Sequence, residues 1–124
     1  MKKASILFVD DEKMLVKSGK KILETMGYRI TPSTSSIEAL ARFQEFPQDF
    51  DIIITDFNMP HMNGDELAKK INRIRSNIPI ILATGCSDFS LETVRIWGID
   101  ELILKPYKLE EMRRLIEKLL QARD

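Results

Sequence analysis

The chain has 124 residues, 44% of them hydrophobic, and its 19 lysines and arginines balance 19 aspartates and glutamates. That size suits one domain with a proper core, and a zero balance without a Lys/Arg block argues against a nucleic-acid-binding surface. No run approaches the roughly 20 apolar residues of a membrane span, Lys2 and Lys3 precede an apolar stretch too short for a signal peptide, and the single Cys86 excludes an internal disulfide, so a soluble protein of the reducing cytoplasm is expected.

Strand-like and helix-like segments alternate along the chain. Ile6–Val9 is an apolar run that stops at Asp10 and Asp11. A helix over about residues 12–26 follows, with Leu15, Val16, Ile22, Leu23 and Met26 at helical spacing and Gly27 as its stop. Tyr28–Thr31 is a mixed strand, punctuated by Pro32. Ser35 or Ser36 caps a second helix, with Glu38 nearby and Ile37, Leu40 and Ala41 expected to face inward; Pro47 marks its exit. Ile52–Thr55 is a second apolar run ending at an acid, Asp56. Met59-Pro60 and Asn63-Gly64 form a turn-rich loop before a helix carrying Leu67, Ala68, Ile71 and Ile74. Pro79–Ala83 is a strand. Ser87 or Asp88 is expected to start a fourth helix with Leu91, Val94 and Trp97, ended by Gly98. Leu102–Leu104 is the fifth strand, and Leu109, Met112, Leu115, Ile116, Leu119 and Leu120 stripe a last helix over about 108–122.

Five strand–helix pairs predict an α/β fold, a parallel sheet with helices on both faces. Strands one, three and four are nearly continuous apolar runs, as burial on both faces requires; the second is mixed and reads as an edge, and the fifth, which begins with Glu101, also suits an edge. Right-handed crossovers then favour the order 2-1-3-4-5, with a topological switch between strands one and three. Adjacent strands lie about 4.8 Å apart, so Asp10, Asp11 and Asp56 crowd one site at the C-terminal strand ends, with Thr84 and Lys105 at the ends of strands four and five. Like charges brought together favour a bound cation or a proton. Magnesium accepts such oxygen ligands beside retained water, and a carboxylate can also be a nucleophile that forms an aspartyl phosphate. Phosphoryl transfer asks mainly for alignment and charge neutralisation, which the metal, Lys105 and the Thr84 hydroxyl would provide. Asp56, alone on the central strand, is the best nucleophile; the Asp10-Asp11 pair suits the metal.

Val9-Asp10-Asp11-Glu12, Thr55-Asp56-Phe57-Asn58-Met59-Pro60 with Gly64, Ala83-Thr84-Gly85 and Lys105-Pro106-Tyr107 stand in the order and spacing of one family. Through them the whole chain resembles a response-regulator receiver domain of two-component signal transduction. The resemblance implies a single domain over 1–124 with the flavodoxin-like doubly wound (βα)5 fold. It implies that Asp56 accepts a phosphoryl group from a phosphohistidine on a histidine kinase or histidine phosphotransfer domain. It assigns Mg2+ to Asp11 directly, Asp10 through water, Asp56 and the Asn58 main-chain carbonyl. It also implies that Lys105 contacts the acyl phosphate, that its bond to Pro106 is cis, and that Thr84 moves toward the phosphate. One position departs from the pattern: Leu102 stands where the family often has the Tyr or Phe that swings inward with the threonine.

Other residues carry weaker expectations. Met14, off the apolar stripe and near Asp11, is a candidate contact for the phosphodonor. His61 is expected to be an exposed loop histidine, Pro60 and Gly64 to serve loop geometry, Cys86 to be a small loop residue close enough to affect water access, and Trp97 to be core. Two other functions compete. A degenerate receiver acting only as an interaction domain is opposed by the intact acids, Thr84 and Lys105, though Leu102 favours it. A haloacid-dehalogenase-type phosphatase needs a second acid two residues after the nucleophile and then Thr or Val; Glu12-Met14 and Asn58-Pro60 both fail. Enzymatic turnover of an independent substrate is not expected, nor is an output domain appended after the last helix. The runs around Thr84 and Lys105 also look similar to receivers attached to hybrid kinases.

Overall fold

Apolar runs fold as strands and periodic segments as helices, in alternation: β1 (Ser5–Val9), α1 (Lys13–Thr25), β2 (Arg29–Ser33), α2 (Ser36–Glu45), β3 (Ile52–Thr55), α3 (Gly64–Ile74), β4 (Ile80–Thr84), α4 (Leu91–Ile96), β5 (Glu101–Leu104) and α5 (Leu109–Ala122). The computed structural model describes residues 3–122; Lys2, the first of the two basic residues before β1, lies outside them. All pairings are parallel and the order is β2-β1-β3-β4-β5, as the strand compositions predict.

Every residue of β1, β3 and β4 is buried, whereas β2 and β5 alternate, as edges do. The strand period of two sorts side chains onto two cores. Leu7, Val9, Ile53, Ile80 and Leu82 pack under α2, α3 and α4 with Phe43, Leu67 and Val94. Ile6, Phe8, Ile54, Ile81 and Ile103 pack under α1 and α5 with Val16, Leu23, Met112 and Ile116. Burying each large aliphatic side chain is worth roughly 1.5–3 kcal/mol, so the sheet is a stiff platform for whatever its strand ends carry.

Several details differ from the sequence expectations. First, β2 runs through Pro32 to Ser33, and Pro32 lies opposite Phe8. An edge strand has a free side on which a missing N–H is harmless. Tyr28 instead closes α1: its N–H donates to the Leu23 carbonyl (3.2 Å) while Gly27, at φ 99°, donates to Glu24 (3.0 Å), a Schellman ending. Gly98 and Ile99 end α4 in the same way.

Second, the inward stripe of α2 is Ser36, Ala39, Leu40 and Phe43; Ile37 and Ala41 are exposed. The phase is set by Phe43, which stacks on Phe50 with ring centroids 6.1 Å apart. Ser35 is the cap, accepting the Glu38 N–H at 3.2 Å. Third, α4 starts at Leu91, capped by Ser90, whose hydroxyl accepts the Thr93 N–H at 3.1 Å; Ser87 and Asp88 are loop. Fourth, Trp97 is the half-buried C-cap of α4 rather than a core residue. Ile74 and Leu109, counted on the apolar stripes of α3 and α5, lie at helix ends and are also exposed.

Candidate functional site

Three site residues are the first positions past their strands, and each is still held by the parallel ladder. The Asp10 N–H donates to Ser33 (3.1 Å), that of Asp56 to Val9 (2.9 Å) and that of Lys105 to Thr84 (2.8 Å). Their side chains therefore leave the sheet at one edge with little freedom. Oxygens of Asp10, Asp11 and Asp56 all lie within 4.8 Å of one another.

Lys105 enters this cluster from β5. Its Nζ lies 2.6 Å from Asp10 Oδ2 and 3.4 Å from Asp56 Oδ1. Asp10 is only 2% exposed and its Oδ1 accepts the Glu12 N–H at 3.0 Å, so both oxygens are engaged; Asp11 is exposed. Asp56 Oδ1 also accepts the N–H of Phe57 at 2.8 Å. Burial, and then the charge of Asp10, raise the Asp56 carboxyl above its ordinary value of 3.8, against the opposing pull of Lys105. Burial alone would lower the Lys105 ammonium, but its bond to Asp10 and the charges of both acids outweigh that and raise it. Lys105 thus stays charged.

Thr84 is buried at the end of β4, and its Oγ accepts the Cys86 N–H at 3.1 Å. The register pairs Thr55 with Leu82, which brings Asp56 level with Ala83, one residue short of Thr84. Asn58 and His61 are exposed in the β3–α3 loop, His61 at φ 70°. Cys86 is half-buried and free. The Lys105–Pro106 peptide is cis. Met14 is 78% exposed near the start of α1. Leu102 is half-buried against the α2–α3–α4 core.

Two features beside the site go beyond the sequence expectations, which gave Gly64 a role in loop geometry only. Gly64 begins α3 so close to β3 that an added Cβ would overlap the Asp56 carbonyl oxygen and lie 3.1 Å from Phe57 Cα. Its place in the second motif, after Thr55–Pro60, was the signal. Phe57, Phe89 and Trp97 form a ring cluster, with centroid separations of 4.7 Å (57–89), 5.9 Å (57–97) and 5.3 Å (89–97). Phe89 has no periodic neighbours and gave no signal.

Three carboxylates and an ammonium meet at the switch point of a 2-1-3-4-5 sheet, and the family model for the response regulator receiver domain matches residues 6–117 of the chain. The chain belongs to that family. The receiver is 31% identical over 116 residues to Response regulator SaeR of Staphylococcus aureus, covering 93% of this chain and 50% of SaeR. It spans half or less of the curated relatives it matches. Among solved structures it superposes on a response regulator receiver domain protein from Clostridium thermocellum with a TM-score of 0.90 at 28% identity, covering 97% and 96% of the two chains. It superposes on response regulator TrrA of Thermotoga maritima in complex with Mg2+-BeF with a TM-score of 0.84 at 32% identity, covering 94% and 99%. The chain is a receiver domain of two-component signalling, and no helix among its described residues is long and apolar enough to cross a membrane.

Proposed function

We propose that this receiver takes a phosphoryl group onto Asp56 from a phosphohistidine on a histidine kinase or histidine phosphotransfer domain, in a Mg2+-dependent reaction. The observation that carries this reading is Lys105 Nζ placed 3.4 Å from Asp56 and 2.6 Å from Asp10 inside the acidic cluster. The donor set fits Mg2+, hard carboxylate oxygens in a partly open site: exposed Asp11, Asp56 and the Asn58 carbonyl would hold it, and Asp10 would act through water. When bound, the metal offsets negative charge on the phosphoryl oxygens.

The residues do the remainder. The Phe57 N–H orients the Asp56 carboxylate. An Asp56 oxygen bonds to phosphorus as the phosphorus–nitrogen bond breaks, and the electron pair leaves on the imidazole. Lys105 follows the charge onto the phosphoryl oxygens, and the Thr84 hydroxyl donates to one of them while still accepting from Cys86. Exposed Met14 and a groove of about 370 Å³ lined by Leu15, Ile22, Pro106, Tyr107 and Leu109, beside Lys105, support docking of a donor helix there. The receiver acts as one domain, in the cytoplasm.

Incubation with Mg2+ and acetyl phosphate or phosphoramidate is expected to add one phosphoryl group by intact mass. No gain with any donor would favour the interaction-only receiver, and turnover of a phosphate ester would favour a phosphatase. Mg2+ alone is expected to raise the thermal midpoint, by about 2.7 kcal/mol of stability at a hundredfold excess over Kd, and Asp11→Ala to remove that effect in a calorimetric scan. Leu102→Tyr is expected to change partner binding in a pull-down while phosphorylation persists; lost phosphorylation would show that position 102 shapes the site itself.

A further inference from the structure

We infer that the Phe57–Phe89–Trp97 ring cluster, and not the side chain at position 102, couples the state of Asp56 to α4. The inference rests on the proposed phosphorylation of Asp56. The cluster is tied to the site at two points. Phe57 donates its N–H to Asp56 Oδ1 at 2.8 Å. Phe89 stands in the β4–α4 loop whose Cys86 N–H is held on Thr84 Oγ at 3.1 Å. Trp97, the third ring, is the C-cap of α4.

Phosphorylation acts on both ties. It moves charge from the Asp56 carboxylate out to the phosphoryl oxygens, which weakens the charge-assisted bond from Phe57. It also draws the Thr84 hydroxyl toward those oxygens, and the loop follows because Cys86 is bonded to the same hydroxyl. The two displacements meet where Phe89 lies 4.7 Å from Phe57 and edge-on to Trp97 at 5.3 Å. Packed rings favour a few offset and edge-to-face arrangements, so a small shift re-seats the cluster instead of deforming it smoothly. Leu102 packs against the same core but offers neither a ring to join the cluster nor a hydroxyl to hold an outward position. The element that responds is α4, six residues long, with Ile96 81% exposed next to Trp97.

Trp97 is the only tryptophan, so its emission reports on the cluster directly. The experiment follows emission, intact mass and amide exchange of α4 together after Mg2+ and acetyl phosphate are added. Wild type is expected to gain the phosphoryl group with a change in emission and in α4 exchange. Phe89→Leu is expected to gain it to the same extent but lose most of both changes, Phe89→Tyr to restore them, and Leu102→Ala to keep them. Phosphorylated wild type with unchanged emission overturns the coupling. So does Phe89→Leu with full changes, or Leu102→Ala without them. Loss of phosphorylation in Phe89→Leu would make Phe89 part of the acceptor site, and also overturns it. No phosphoryl gain in wild type overturns the proposed function itself, and the mass reading separates that failure from the others.

Discussion

Asp56→Asn is expected to abolish phosphoryl uptake while raising the thermal midpoint of the receiver at neutral pH in the absence of Mg2+. The amide cannot attack phosphorus, so the mass gain should vanish at every donor concentration. The stability gain follows from linkage. Burial and Asp10 raise the folded Asp56 carboxyl above its ordinary 3.8, so the folded state binds more protons than the unfolded state between those two values. Stability contributed by this group is therefore present at low pH and is lost as pH rises from the unfolded value through the folded one. The neutral amide escapes that loss. Lys105 gives up its contact with Asp56 but keeps Asp10 at 2.6 Å. The difference in midpoint between variant and wild type should be small below pH ~4 and grow to a plateau above the folded value. An unchanged or lower midpoint at pH 7, or a persisting mass gain, would refute the expectation.

Gly64→Ala is the second large effect. The methyl group would be driven into the carbonyl of Asp56, with Asp56 C and Phe57 Cα both 3.1 Å away. These are backbone atoms, so no rotamer change relieves the overlap. The strand end and the helix start are also tied together, since the Gly64 N–H donates to the Phe57 carbonyl at 2.8 Å. Over-packing of this kind costs about 3 kcal/mol, here at the residue proposed as the nucleophile. A denaturant midpoint should fall accordingly, and phosphorylation followed by mass should slow markedly in the protein that remains folded. Gly85→Ala is the matched control. Nothing lies within 4 Å of a Cβ there, and stability should change little.

Much of this fold is written locally. Ile6–Val9 and Ile52–Thr55 each run apolar into an acid, which marks the strand, its central position and the edge where its last residue emerges. Asp10, Asp11 and Asp56 were legible for that reason, and Lys105 because it follows β5. What was not legible depends on distant contacts. The phase of α2 is fixed by Phe43 meeting Phe50, beyond the helix. The start of α4 depends on which of several polar residues reaches the Thr93 N–H, and Ser90 does. The ring cluster joins residues from the β3–α3 loop, the β4–α4 loop and the end of α4, and no periodicity links them.

The pairing of Lys105 with Asp10 spans 95 positions, from the first strand to the end of the last. A growing or truncated chain that stops before β5 would hold its carboxylates without the ammonium that offsets them. The charge balance of the acidic cluster is therefore a property of the assembled sheet: no stretch of chain shorter than the span from Asp10 to Lys105 contains all three carboxylates and the ammonium that faces them.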